Sequence, residues 1–184
     1  GRVDILVNNA GIQHAVPLHE MPVQKWNDII AINLSSAFHT MRAAMPMMAS
    51  RGFGRVINVA SVHGLVASKD KAPYVASKFG VVGLSKVAAL EYAAQGSRDS
   101  GGITVNCICP GWVETPLIEP QIAARAAAFD GDRDAGVREL LDVAERLFPH
   151  PGEANPPPFM KGTGDEAQPI TATPDPQAHV IADV

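Results

Sequence analysis

The sequence predicts an α/β fold on an open parallel sheet, followed by a Pro-rich irregular tail. Three short apolar runs rich in Val and Ile predict the strands: Val3–Val7, Arg55–Ala60 and Ile103–Cys109. Two long segments between them place apolar residues at three- and four-residue steps and predict helices. Strand, helix, strand, helix, strand is the order that a parallel sheet with crossover helices requires.

Each strand run is bounded by Gly, Asn, Ser or Pro, and none alternates cleanly with polar residues. Such runs are expected to be buried on both faces, as in a doubly wound, Rossmann-type sheet. The first helix runs from about Pro22 to Ser50, through Trp26, Ile29, Ile30, Asn33, Ala37 and Met41. Pro22 suits its first turn, and Gly52 stands just past its end. The second helix runs from about Tyr74 to Gln95, through Val81, Val82, Leu84, Val87 and Leu90. Residues 121–148 carry further helical segments, broken at Asp130-Gly131-Asp132.

From Pro149 the composition shifts to few apolar residues and many prolines. Such a segment lacks the donors for a full backbone ladder, so 149–184 is expected to be mostly disordered and 1–148 to form the domain. Gly162, Gly164 and Ala167 match a dinucleotide-loop spacing, but prolines stand where the flanking strand and helix would be needed. The match is a coincidence of composition.

Of the 184 residues 46% are hydrophobic and the net charge is −4, without a basic stripe or an acidic tail. This speaks against a nucleic-acid or anionic-membrane partner. No run approaches the roughly 18 uncharged residues of a membrane helix. Cys107 and Cys109 share one face of the third predicted strand, and no other Cys or His pair supports a metal site. They are read as reduced thiols of a cytoplasmic protein, with no metal expected.

The chemistry-bearing signal is Tyr74-Val-Ala-Ser-Lys78, a phenol and an ammonium one helical turn apart. A free phenol, with a pKa of about 10, is a poor base, and a fixed positive charge beside it favours the phenolate. Alone the pattern is common on amphipathic helices. Ser61 changes its weight, because it follows directly on the strand Val56–Ala60 and so emerges at the carboxyl end of the sheet, where such folds bind ligands. The next helix brings Tyr74 to the same end, so one hydroxyl can hold a substrate oxygen while the other moves its proton.

With these residues in order, residues 1 to about 120 resemble the short-chain dehydrogenase/reductase family. Asn8-Asn9-Ala10-Gly11, Asn33, Ser61, Tyr74, Lys78 and the Pro110–Thr115 loop stand where its motifs stand. The resemblance implies a nicotinamide enzyme, NAD by preference with NADP open. Tyr74 would be its base, Ser61 the polarising hydroxyl, Lys78 the group that lowers the Tyr74 pKa and holds the ribose, and Asn33 the anchor of a water relay. It assigns Asn9, Gly11, Pro110, Gly111, Val113 and Thr115 to the cofactor cleft.

Gly11–His14, Ala31–Thr40, Ser61–Ala67 and Pro116–Ile122 resemble the bacterial D-3-hydroxybutyrate dehydrogenase branch. That likeness implies oxidation of (R)-3-hydroxybutyrate, with Gln13, His63, Lys71 and Gln121 around the substrate carboxylate. Read singly, Lys71 is also an ordinary loop lysine and Gln121 a surface glutamine. A 3-oxoacyl or sugar-alcohol reductase, and a non-catalytic fragment, are the alternatives.

The resemblance further implies a homotetramer, to which the face of Met41, Met45 and Met48 either contributes or belongs as ordinary core. The family's opening strands and phosphate loop have no counterpart here, so Gly1 reads as internal to a longer protein. The tail after about Leu147 departs from the family's last helix and strand and reads as a break in the coding sequence.

Overall fold

The structure, a computed structural model, describes residues 2–113, 115–147, 159–161 and 168–170. The chain divides into two compact units, one reaching to Pro110 and one beginning at Gly111.

The first unit is built on a parallel sheet of β1 (Ile5–Asn8), β2 (Phe53–Val59) and β3 (Gly102–Ile108), with β2 in the centre. Its register pairs Leu6 with Val56 and Asn8 with Asn58, then Val56 with Val105 and Asn58 with Cys107. Neighbours in register share a face, so an apolar row and a polar row cross the sheet side by side.

The predicted first helix is three joined pieces: α1 (Val23–Ile30), a π-turn (Ala31–Ser35) and α2 (Ser36–Arg51). Pro22 precedes α1 as its cap instead of lying in its first turn. Gly52 ends α2 as expected, in a left-handed conformation with φ +67°. The second long helix, α3, spans Ala72–Tyr92.

Both α2 and α3 pack on one face of the sheet. Met41, Met45, Met48 and Ala88 meet Val56, Ile103 and Val105 there, with Leu6 and Leu84 at the margin. The methionine face is therefore core in this unit: Met48 is fully buried, and a Cβ on Gly54 would lie 2.5 Å from its sulfur. Gly54 is what lets α2 lie this close to β2.

The expectation of strands buried on both faces is corrected here. Burial alternates along β2, and Ile5, Val7 and Ile108 are 60%, 54% and 51% exposed. Among the described residues of the first unit no helix covers that second face. The apolar runs mark strands suited to two covered faces, but burial needs a partner layer as well as a sequence.

The second unit carries α4 (Glu119–Ala126), a short 3-10 turn and α5 (Arg133–Leu147), broken at Asp130–Asp132 as predicted. Asp132 caps α5 by accepting from the N–H groups of Asp134 and Ala135. Gly136 permits close crossing, since a Cβ there would sit 2.8 Å from Ala126 N.

In the tail, β4 (Phe159–Lys161) and β5 (Gln168–Ile170) pair antiparallel, a local ladder where an irregular tail is expected. A pairing this short needs few donors and tolerates Pro169. The spacing Gly162–Ala167 and the remainder of the tail lie outside the described residues.

Candidate active site

The polar row begins at the carboxyl ends of the strands. Thr40 Oγ1 donates to Asn8 Oδ1 at 2.6 Å, and Asn8 Nδ2 donates to Asn58 Oδ1 at 2.7 Å. Asn58 Nδ2 then donates to Ser85 Oγ at 2.7 Å, and Cys107 Sγ lies 3.0 Å from the same oxygen. Asn58 is fully buried, so each of these bonds replaces one lost to water. The row locks the three strand ends to α2 and α3.

Above it stands Asn33, buried in the π-turn, whose wider spacing is closed by Ser36 N–H on Ala31 O. Its amide clasps the loop after β1: Oδ1 accepts from Ile12 N–H at 2.8 Å, and Nδ2 donates to Ile12 O at 2.9 Å. Nδ2 also lies 3.4 Å from Ser77 Oγ, which donates to Tyr74 O at 2.7 Å. The clasp thus fixes the Gly11–Gln13 backbone against the first turn of α3. Gly11 lies beside both groups, since a Cβ on it would be 3.8 Å from Asn33 Oδ1 and 3.9 Å from Lys78 Nζ.

Tyr74, Ser77 and Lys78 occupy the buried face of the first half of α3. Pro73 stands at the helix start, where its missing N–H leaves nothing unsatisfied. Ser61 leaves β2 in extended backbone, and its Oγ accepts from His63 N–H at 3.1 Å. The Ser61 hydroxyl is near enough to the Tyr74 phenol to lower its pKa. Ser61, at the end of β2, and Tyr74, at the start of α3, thus stand at the same edge of the sheet.

The electrostatics of Tyr74 differ from the sequence expectation. Burial raises the phenol pKa above its usual value, and the Ser61 hydroxyl draws it back only in part. Lys78 Nζ lies 5.6 Å from the centre of the Tyr74 ring and donates to Val59 O at 2.8 Å. Burial sets the direction of the Tyr74 shift, and the Lys78 ammonium, held on the Val59 carbonyl, does not reverse it. Burial lowers the Lys78 pKa in turn, with the Cys107 and Cys109 sulfurs acting the other way.

Lys71 and His63 form the other wall. Both are buried, and Lys71 Nζ stands 3.4 Å from His63 Nε2. Burial first, and the Lys71 charge second, lower the His63 pKa to about 4, against a backbone hydrogen bond at Val66. The His63 ring meets Tyr74 edge to face at 6.1 Å. Lys71 is therefore no exposed loop lysine.

Gln13 is half-buried in the clasped loop, and Asn9 is exposed. Pro110 closes the unit, its carbonyl accepting from Val62 N–H at 2.9 Å. Gly111, Val113, Thr115 and Gln121 belong to the second unit. There Gly111, Val113 and Thr115 are exposed, and Gln121 is half-buried on α4.

Sequence reasoning missed Ser77, Asn58 and Asp70. Ser77 was legible as a polar residue three positions after Tyr74, hence on the same face. Asn58 was legible as an amide inside an apolar strand.

An α/β unit with hydroxyls and cations gathered at the carboxyl edge of a parallel sheet is a ligand-binding protein by its geometry. The chain belongs to the short-chain dehydrogenase family, whose profile matches residues 1–126. It is 57% identical over 141 residues to D-beta-hydroxybutyrate dehydrogenase of Cupriavidus necator, covering 77% of this chain and 52% of that protein. The same-named protein of Rhizobium meliloti is 55% identical over the same shares. A 3-oxoacyl-acyl-carrier-protein reductase of Escherichia coli is 41% identical over 80% of this chain and 59% of its own length.

Among solved structures, levodione reductase matches with a TM-score of 0.67 at 30% identity, over 79% of this chain and 54% of that one. Gluconate 5-dehydrogenase of Burkholderia cenocepacia, in complex with NADP and tartrate, gives 0.61 at 36% identity, over 66% and 46%. The chain spans about half the length of the first curated relatives it matches, 52% in each.

Proposed function

We propose that the chain carries the catalytic segment of an enzyme that oxidises (R)-3-hydroxybutyrate to acetoacetate, with NAD as the nicotinamide cofactor. One observation carries the substrate class. The buried Lys71 Nζ stands 3.4 Å from His63 Nε2, and the His63 ring meets Tyr74 edge to face. An ammonium and an imidazole beside the hydroxyls are donors that suit an anionic group on the substrate. A short hydroxy acid suits the Lys71–His63 wall, and the hydroxyl to be oxidised then faces Ser61 and Tyr74. Two relatives above 50% identity carry the matching name.

The residues present fit a nicotinamide cofactor. Lys78 gives one N–H to Val59 O, and an ammonium has two more for a sugar diol. Gly11, with no side chain of its own, leaves its backbone open beside Lys78 and Asn33. Bound there, such a cofactor supplies the acceptor for the hydride leaving the substrate carbon.

The chain's own residues do the rest. Ser61 donates to the substrate oxygen and holds it at hydrogen-bond distance from Tyr74. Tyr74 accepts the hydroxyl proton in oxidation and returns it in reduction. Its raised pKa favours the protonated phenol, the form that donates to the carbonyl oxygen in reduction. In oxidation the phenol first releases that proton to solvent and then accepts the one from the substrate hydroxyl. Asn33 and Ser77 keep the first turn of α3 and the Gly11–Gln13 loop in fixed register. Lys71, His63 and Gln13 bind the carboxylate.

Turnover of (R)-3-hydroxybutyrate and of its methyl ester tests the reading. Lys71→Ala and His63→Ala should raise KM for the acid at least tenfold and change KM for the ester less than threefold. Equal effects on both, or a preference for a 3-oxoacyl thioester over the acid, would replace this reading with the acyl-reductase one that the Escherichia coli relative represents.

A further inference from the structure

Between Val66 and α3 the chain must turn inward to bury a lysine, and one residue makes that turn. Asp70 has φ +63°, and among the described residues only Asp130 shares a positive φ without being glycine. Side chains are disfavoured in this region, least so for Asp and Asn, and a non-glycine residue held there is often part of a functional constraint. The Asp70 carbonyl is clamped by Val16 N–H at 2.9 Å. Val16 follows the loop that carries Gln13, so this bond ties together two segments that line the carboxylate wall.

The residue after the turn is Lys71. Its backbone leaves at φ −126°, ψ 32°, and its carbonyl accepts from Val75 N–H to open α3. Its ammonium is delivered into the interior, 3.4 Å from His63 Nε2. The Asp70 side chain is exposed, so what it contributes to this arrangement comes through its backbone.

We propose that Asp70 is a positioning residue: its left-handed backbone, clamped by Val16, turns Lys71 into the site and thereby sets the preference for a substrate bearing a carboxylate. The substrate half of this statement rests on the function proposed above; the placement of Lys71 does not.

The test follows the His63 imidazole of this chain by NMR as a function of pH, with His63→Gln to assign the resonance. Among the described residues, Lys71 and Tyr74 are charged or titratable groups facing that ring. Wild-type protein should titrate near 4. Lys71→Met removes the neighbouring charge and gives the upward shift to be matched. Asp70→Val should recover most of that shift and Asp70→Ala part of it, because neither residue holds the left-handed turn as readily. Asp70→Gly and Asp70→Asn should keep the wild-type value.

If Asp70→Val fails to fold, Asp70→Ala carries the comparison. Wild-type titration in the folded Val or Ala variants overturns the proposal, as does an unshifted His63 in Lys71→Met. Failure of both Val and Ala variants to fold, with Gly folded, also overturns it in favour of a general folding role. In turnover, Asp70→Val should raise KM for the hydroxy acid about tenfold and leave kcat within twofold. Should the NMR shift appear without the KM effect, Lys71 is placed as described and the substrate reading is the part that fails.

Discussion

The two halves of α3 are neighbours on one helix and do opposite things. Its opening turns bury Tyr74, Ser77 and Lys78, and the turns that follow bury Val81 and Ala88 with Ser85 between them. Burying an ammonium and a phenol costs stability, and the shifted pKa values of Tyr74 and Lys78 are signs of that cost. Burying Ala88 and Leu84 in the core with Val56, Ile103 and Val105 offsets it. The same helix that carries the strain of the site is anchored one turn later by the core, and the Asn58–Ser85 bond marks the border between them.

The comparison is broken most sharply at Tyr74. Tyr74→Phe should lower kcat by roughly 10²- to 10⁴-fold, the usual range for a lost proton-transfer group. Its midpoint of chemical denaturation should stay the same or rise, because the buried hydroxyl disappears with its desolvation. A variant that loses stability in proportion to activity would show that the two halves are not separable.

Met48→Ala probes the other half. Removing a fully buried methionine side chain should cost about 2–5 kcal/mol of unfolding free energy. His63 should still titrate near 4 in the folded fraction, because the cavity lies toward the opposite end of β2 from the Lys71 wall. Urea titration and imidazole NMR on one sample check both parts.

The smallest effect is a slope with pH. His63 titrates near 6.5 when unfolded and near 4 when folded, so the unfolded chain binds the extra proton first as pH falls. Stability from this group is complete above 6.5 and lost between 6.5 and 4, by roughly 3 kcal/mol at most. His63→Gln should flatten unfolding free energy over that window and leave the region above pH 7 unchanged. An unaltered slope would place the acid sensitivity elsewhere.

Much of the site was legible because its residues obey local rules. Tyr74 and Lys78 share a helix face by spacing alone, and Ser61 sits at a strand end because an apolar run stops before it. The break at Asp130–Asp132 and the stop at Gly52 are likewise local chemistry. Lys71 illustrates the opposite case. A lysine in a polar loop reads as exposed, and only the left-handed turn at Asp70, with its long-range bond to Val16, takes it inside. The open face of the sheet escaped the sequence for a similar reason: Ile5 and Val7 have the composition of a covered strand, and whether a layer covers them is decided by other segments.

By itself the sequence determined the order of strands and helices, the carboxyl-edge location of the site and the family, because hydrophobic period, capping residues and motif spacing act over a few residues. The tertiary structure alone decided how the charges behave. It set Lys78 on the Val59 carbonyl, raised the Tyr74 pKa by burial and brought Lys71 against His63. A pKa depends on what is within a few ångströms in space and on how much water is excluded, and neither distance along the chain nor residue type contains that information.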